Sequence, residues 1–337
     1  MPNNNRVLHR AKKRQLDEFY TRIEDIEKEL KHYKAHFKDK IVFCNCDDPE
    51  RSDFFKYFYL NFEHLGLKKL ITTHYEREKP SYKLEVVKNS KGIIKPIHIP
   101  LHQNGDFRSP EAIEALEESD IVCTNPPFSL FREYVDQLSN NHKKFLIIGN
   151  RNAITYKEFF PLIKMNKIWL GSNPKIQIFR VPNYYEGKDI YTADDGIRYV
   201  KNVGLACWFT NLDIEKRHEE LILYKKYNPE EYPKYDNYDA INVDKVADIP
   251  CDYGGVMGVP ITFLDKYNPE QFEIVGYDGN DYVDELGIRK IGDDWVSLYR
   301  SQGGTGHITS DMHSLVLLLN GRAKTVYKRI LIKRKFH

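Results

Sequence analysis

The 337-residue sequence balances 51 Lys and Arg against 49 Asp and Glu, a net charge of +2, and its 41% hydrophobic content can bury the core of one large domain or two modest ones. Its longest apolar runs, "KFLIIGN" and "SLVLLLN", fall far short of the ~20 residues of a membrane span, and the start has no apolar signal-peptide core, so a cytoplasmic protein is expected. Five cysteines, an odd number, fit no disulfide framework in a chain of this size, and Cys44 and Cys46 read as strand residues rather than metal ligands.

The charge is unevenly spread. Arg6, Arg10, Lys12, Lys13 and Arg14 crowd the start, and Lys324, Lys328, Arg329, Lys333, Arg334 and Lys335 crowd the end. Such clusters suit phosphates but also occur as solubilising tails, so they gain meaning only beside a chemical motif.

In chain order, "LDEFYTRIEDIEKELKHYKAHF" has helical spacing, with Ile23, Ile26, Leu30 and Tyr33 on one face. A strand "KIVFCN", the loop "CDDPERS" and an amphipathic helix "DFFKYFYLNFEHLG" ended by Gly66 follow, then a strand "KKLITTHYE" that closes on an acidic residue. "YKLEVVKNSKGIIKPIHIP" predicts a hairpin around Asn89–Gly92. Next come a helix in "GDFRSPEAIEALEES", a strand "DIVCTN", a helix "LFREYVDQLSNN", a strand "KKFLIIGN", a helix "TYKEFFPLIKMN" and a strand "KIWLG". This alternation predicts an α/β fold with a doubly wound, mostly parallel sheet. From about Gln177 the texture turns to alternating, aromatic-rich strands and long Tyr- and Pro-containing loops, with no long amphipathic helix evident. The expected division is a catalytic domain at 1–212, including a basic arm and helix at 1–37, and an irregular mixed region at 213–337.

The most informative stretch is "SDIVCTNPPFSLF", Ser119–Phe131. Two prolines remove two backbone donors and fix φ, so the aliphatic strand must stop and hold one shape. In an open parallel sheet ligands collect at the carboxyl ends of strands, where this places Asn125. The Asn125 amide oxygen and the Pro126 carbonyl can point the same way, because Pro126 and Pro127 leave the loop few other conformations. Two acceptors aimed at one planar NH2 group favour a pyramidal nitrogen, free its lone pair for an electrophile, and stabilise the developing positive charge. Phe128 offers a flat face for a ring, worth ~1–3 kcal/mol per stacked base in single-strand binding systems. The electrophile that suits such a nitrogen is a methyl sulfonium. The competing account is that Asn125 caps the following helix and the prolines merely end a strand.

"TNPPF" resembles the catalytic motif of amino-group methyltransferases that use S-adenosyl-L-methionine. "DEFYT", "CNCDDPERSDFFKYF", "DFRSPE", "TNPPFSLFREYVDQL", "ITYKEFF", "NKIWLG", "YPKYDNYDAINV" and "GVMGVPITFL" together resemble the EcoRI-type adenine-specific DNA modification methyltransferases, through most of the chain to about Glu273 and again near "YKRILIK". The resemblance implies a Rossmann-like catalytic domain of the S-adenosylmethionine-dependent type. It also implies methyl transfer to adenine N6 in double-stranded DNA, with the target base flipped out, since a stacked amino group cannot otherwise reach the motif. Motif order resembles the class whose target-recognition region lies toward the C-terminus, and the segment from about Gly276 to Asn320 looks longer than in the EcoRI pattern.

The resemblance also assigns the cofactor pocket. Most of the superfamily carries glycines after the first strand, whereas "FCNCDDPERS" has none; Asp47, Asp48 and Pro49 match the EcoRI-type form, with Asp47 preferred over Asp48 for the cofactor's ammonium. Either carboxylate could instead cap the next helix. Glu76 is placed for ribose hydroxyls, or is a solvated charge. Asp106 and Phe107 resemble the residues that receive and cover the cofactor's adenine, with a turn-forming role for Asp106 as the alternative. Tyr20 and Thr21 resemble a motif that closes over the methionine end, unless Thr21 is a cap. Neither metal nor catalytic histidine is expected, because an aromatic amine is unprotonated at neutral pH and its proton can leave to water. A monomer is expected, with a possible cognate restriction endonuclease. Two alternatives stay open: an RNA amino-group methyltransferase using the same turn, and a non-catalytic, cofactor-dependent DNA-binding protein, motivated by the glycine-free loop.

Overall fold

The computed structural model describes residues 19–76, 79–186, 188–201, 205–279 and 283–336; the expected basic arm, with Arg6, Arg10, Lys12, Lys13 and Arg14, lies outside them. The chain forms two compact units, one taking the residues up to Ala153 together with Ile168–Ile214, the other Ile154–Lys167 together with those from Glu215 onward.

The strands of the first unit are β1 (Tyr20–Thr21), β2 (Ile41–Cys44), β3 (Lys69–Thr73), β4 (Tyr82–Lys88), β5 (Ile94–Pro100), β6 (Ile121–Thr124), β7 (Lys144–Asn150), β8 (Trp169–Leu170), β9 (Ile178–Arg180), β10 (Ile190–Thr192), β11 (Arg198–Lys201) and β12 (Ala206–Thr210). Eight of them form one sheet in the order β5-β4-β3-β2-β6-β7-β12-β8. The sequence pattern predicts a mostly parallel sheet, but parallel pairing is confined to β3-β2-β6-β7. Both flanks are antiparallel. The links from Thr73 to Tyr82 and from Lys88 to Ile94 are too short for the crossover that a parallel neighbour requires, so the hairpin extends the sheet rather than leaving it. Periodicity within a strand carries no record of its direction.

The central strands are buried on both faces, as their near-continuous apolar sequences require. Helix Asp53–Leu60 is capped by Ser52, whose Oγ accepts from the Phe54 amide at 3.1 Å. The short helix Phe62–Leu65 that follows stops at Gly66 in the left-handed conformation, φ 65°. The chain leaves β2 toward β3 on one side and returns to β6 on the other. The carboxyl ends of β2 and β6 therefore flank the point where the winding reverses, which is where open α/β sheets bind ligands. A second sheet, β1-β9-β11-β10, pairs Tyr20 with Arg180 and Thr21 with Phe179, seating the stretch before the first helix on a strand from far along the chain.

The second unit holds β13 (Ile241–Asn242), β14 (Met257–Pro260), β15 (Phe272–Tyr277), the hairpin β16 (Val316–Leu319) and β17 (Arg322–Thr325), and β18 (Arg329–Arg334). β13-β14-β18-β15 form a four-stranded sheet over Tyr235, Ala240 and Leu331. The helix Asp293–Ser301 lies in a tract that reads as loop from sequence; Trp295 is buried and packs with Ile291, Val316, Val296 and Tyr299. Two aspartates open this helix and only three apolar positions carry it, a pattern too short for periodicity to reveal. The helix Phe160–Lys164, inside the alternating half by sequence, also belongs to this unit, with Phe160 against Tyr277 at 5.4 Å. No helix of the described residues is long and apolar enough to cross a membrane.

Candidate active site

β6 ends at Thr124, the chain leaves the sheet through Asn125, Pro126 and Pro127, and Phe128–Leu130 forms a 3-10 turn before the helix Phe131–Asn140. Neither that turn nor the helix takes a side-chain cap, so Asn125 is not spent on capping. Its Nδ2 donates to the Phe19 carbonyl at 2.6 Å. A carbonyl only accepts, so the group facing Phe19 must be the NH2, and this fixes the opposite orientation for Oδ1. Oδ1 is buried and has no hydrogen-bond partner among the described residues. A buried acceptor in that state costs free energy unless a donor is brought to it. Phe128 is partly buried beside it, its ring 5.8 Å from Phe19 and 6.4 Å from Phe179.

The loop after β2 is bound to this turn. The Asp47 carboxylate is buried and accepts from the Ser52 hydroxyl at 2.7 Å, from the Thr124 hydroxyl, and from the Asn125 backbone N–H. Burial pushes its pKa up to about 6, against the opposing effect of these three donors. The Cys46 amide donates to Thr124 Oγ1 at 3.2 Å, and Thr72 Oγ1 contacts the carbonyls of Cys44 and Asp47 at 2.9 Å each. Asp47 is thus a tie between loop, helix cap and catalytic turn, satisfied inside the protein. Asp48 lies further out: it accepts from the Glu50 amide at 2.9 Å and approaches His74 Nδ1 at 3.4 Å and Arg51 Nε at 3.6 Å. Pro49 sits in the turn between this loop and the capped helix.

Glu76, largely exposed, has Oε2 3.7 Å from His74 Nε2, and its amide donates to the Asn104 carbonyl at 2.9 Å. Asp106 forms the local turn that is the alternative reading of it, accepting from the Arg108 amide at 3.0 Å, while Arg108 Nε and Nη2 reach its two oxygens at 2.7 Å each. Phe107 is buried edge-on to Tyr134 at 5.1 Å, with the Arg108 guanidinium 5.0 Å from its centroid. Gly105, at φ 75°, has no room for a side chain, since a Cβ would run into the His74 carbonyl. Tyr20 lies under the Arg180 guanidinium at 5.3 Å. Thr21 does not cap the helix Ile23–Leu30, and its buried Oγ1 has no hydrogen-bond partner among the described residues. Three further buried atoms of this region share that condition among the described residues, Asn45 Nδ2, Gln137 Oε1 and His74 Nδ1; the other ends of the two amides are held by the Tyr134 hydroxyl and the Phe107 carbonyl. The thiols of Cys44, Cys46 and Cys123 are pushed well up by burial, so none supplies a thiolate nucleophile.

Residues 7–335 match the model of the family described as adenine-specific methyltransferase EcoRI. The chain belongs to that family. It is an adenine-specific methyltransferase. Among its relatives, Type II methyltransferase M.EcoRI of Escherichia coli is 53% identical over 292 residues, covering 81% of this chain and 89% of that protein. M.MgeORF184P of Mycoplasma genitalium and M.MpnI of Mycoplasma pneumoniae, both Type II methyltransferases, are each 41% identical, over 82% of this chain and 87% of theirs. No solved structure matches the chain significantly. In this methyltransferase the structure brings Asp47 and Asn125 together at the ends of β2 and β6, with Phe19 against Asn125, and it adds Thr124, Tyr134, His74 and Arg108, which motif reading passed over. Thr124 was the findable one, since a hydroxyl at the last position of the catalytic strand faces the neighbouring loop.

Proposed function

We propose that this methyltransferase transfers a methyl group from S-adenosyl-L-methionine to N6 of adenine in a base turned out of double-stranded DNA. The observation that carries the reading is Asn125, whose amide is held by Phe19 so that a buried oxygen without a protein donor faces away from it. An amino group is the partner such an oxygen lacks. Asn125 Oδ1 and the Pro126 carbonyl accept its two N–H hydrogens, Pro127 fixes the loop, and Phe128 stacks on the base. Two acceptors gain strength as positive charge develops on the nitrogen, so they stabilise the transition state more than the ground state. The proton passes to water once the amine is alkylated.

The residues around β2 fit the methyl donor. Acceptors at Thr21 Oγ1, Gln137 Oε1, Asp48 and Glu76, with a donor at Asn45 Nδ2, suit a molecule bearing an ammonium, a carboxylate, a ribose and an adenine. When bound, its sulfonium supplies an electrophilic methyl group. Asp47 is engaged by three donors, so Asp48 is the better partner for the ammonium and Asp47 shapes the loop with Pro49. Tyr20 and Thr21 close over the methionine end, Glu76 meets the ribose, and Asp106 and Phe107 hold the adenine. The fold is read as the S-adenosylmethionine-dependent type, with catalysis in 1–212, target recognition in 213–337, monomeric action in the cytoplasm and a cognate restriction endonuclease as partner.

The test is expression in a host without adenine methylation, followed by direct detection of N6-methyladenine in its genome. Methylation at one recurrent motif is expected. An unmodified genome, with soluble protein that binds the donor, would move the assignment to RNA or to a binding role.

A further inference from the structure

We propose that His74 is a positioning residue that holds Asp48 and Glu76 at the spacing the methyl donor's ammonium and ribose require. The inference rests on the reading of the site given under Proposed function. One imidazole stands between both carboxylates, Nδ1 at 3.4 Å from Asp48 Oδ1 and Nε2 at 3.7 Å from Glu76 Oε2; neither contact is a hydrogen bond, and buried Nδ1 has no hydrogen-bond partner among the described residues. The two acids come from different segments, the loop after β2 and the stretch beyond β3; Thr72 and Thr73 tie the backbones of these segments together, and His74 is the side chain that lies between the two carboxylates. Two carboxylates converging on one pocket repel, and a rigid ring between them with a polar atom at each end sets their spacing.

The ring itself is held from several sides. It stacks on Tyr82 at 4.9 Å with 21° between the planes, and His98 covers Tyr82 in turn at 4.1 Å. The His74 amide donates to the Tyr82 carbonyl at 2.9 Å, and its carbonyl accepts from Ser81 Oγ at 2.6 Å. Gly105 packs against that same carbonyl. The other charged groups nearby are Arg51, 3.6 Å from Asp48, and Glu50, 3.4 Å from the Tyr82 hydroxyl. His74 touches no reacting atom and acts through the two acids.

The experiment compares wild type with His74→Phe, which keeps the ring on Tyr82 and removes both nitrogens. His74→Asn and His74→Gln accompany it, restoring a polar group toward Asp48 and toward Glu76 respectively. Binding of S-adenosylmethionine and S-adenosylhomocysteine is measured by calorimetry, beside steady-state methylation of duplex DNA. For His74→Phe the Kd for both ligands and the KM for the donor should rise about tenfold. Its kcat at saturating donor, and its affinity for DNA, should stay within about twofold of wild type. The Asn and Gln variants should each recover part of the loss. Wild-type Kd values in His74→Phe would overturn the proposal; should that variant not fold, wild-type Kd values in both amide variants would do so. A wild-type protein that binds neither ligand would instead overturn the reading of the site.

Discussion

Replacing Asn125 by Ala isolates the acceptor on which the proposed chemistry depends. The structure limits the collateral damage: the side chain makes one bond to the protein, from Nδ2 to the Phe19 carbonyl at 2.6 Å, and caps no helix. Losing that bond costs about 1 kcal/mol of stability, a few degrees in Tm at most. Loss of a preorganised partner for developing charge costs ~2.7–4 kcal/mol of transition-state stabilisation, or ~10²–10³ in kcat, and the remaining Pro126 carbonyl keeps the residual rate above background. Single-turnover transfer of a tritiated methyl group from S-adenosylmethionine to duplex DNA measures the chemical step apart from product release. Calorimetry on the same protein should give a donor Kd within about twofold of wild type, because Oδ1 serves the base rather than the donor. Asn125→Asp keeps an acceptor but sets an oxygen against the Phe19 carbonyl, so its rate should fall between wild type and Ala. An Ala variant within tenfold of the wild-type rate would refute the two-acceptor mechanism.

Three further outcomes follow from buried groups. Glu29 accepts from the Tyr33 hydroxyl at 2.8 Å, the Ser172 amide at 2.6 Å and the Asn173 amide at 2.8 Å, so Glu29→Ala should cost about 3–5 kcal/mol in urea unfolding and Glu29→Gln less. Burial pushes the Asp278 carboxyl from 3.8 up to about 6, a change equivalent to roughly 3 kcal/mol. Because the folded state prefers the protonated form, that stability is present below about pH 4 and is lost as pH rises through about 6; Asp278→Asn should flatten the loss of urea resistance between pH 4 and 7, leaving the part that belongs to Asp47. An unchanged slope would mean that Asp278 titrates normally. Gly105→Ala should destabilise by roughly 1–3 kcal/mol and weaken donor binding in calorimetry, since the φ of 75° and the His74 carbonyl both resist a side chain.

The turn at Asn125–Phe128 was legible because two consecutive prolines after an aliphatic strand leave the backbone almost no choice. Gly66 and the Asn89–Gly92 turn were legible for a related reason. Gly66 adopts the left-handed conformation at a helix end, and Asn89 Oδ1 accepts from the amides of Lys91 and Ile93. Long-range pairing was not legible. The proximity of His74 to Asp48 depends on the register of β2 and β3, and the antiparallel run of β12 beside β7 depends on the path of an intervening sheet. Between Asp47 and Asp48 the resemblance favours Asp47 for the ammonium, and no sequence signal marks Asp47 as the one engaged within the protein. Their difference arises from Thr124 and Ser52, whose hydroxyls converge on only one of them. The helix at Asp293–Ser301 was obscured by its own brevity.

The pairing of β1 with β9 bears on how the protein is made. Tyr20 and Thr21, and Phe19 that orients Asn125, are synthesised before every strand of the central sheet, yet their partner strand ends at Arg180. At ~5–20 residues per second, β2, β3 and β6 exist for several seconds before β9 can dock the amino-terminal stretch. During that interval the turn at Asn125 has no Phe19 carbonyl to orient it, and the aromatic faces of Phe19, Phe128 and Phe179 have not met. The contact that orients Asn125 therefore forms only after the chain has been made well past the turn that carries it.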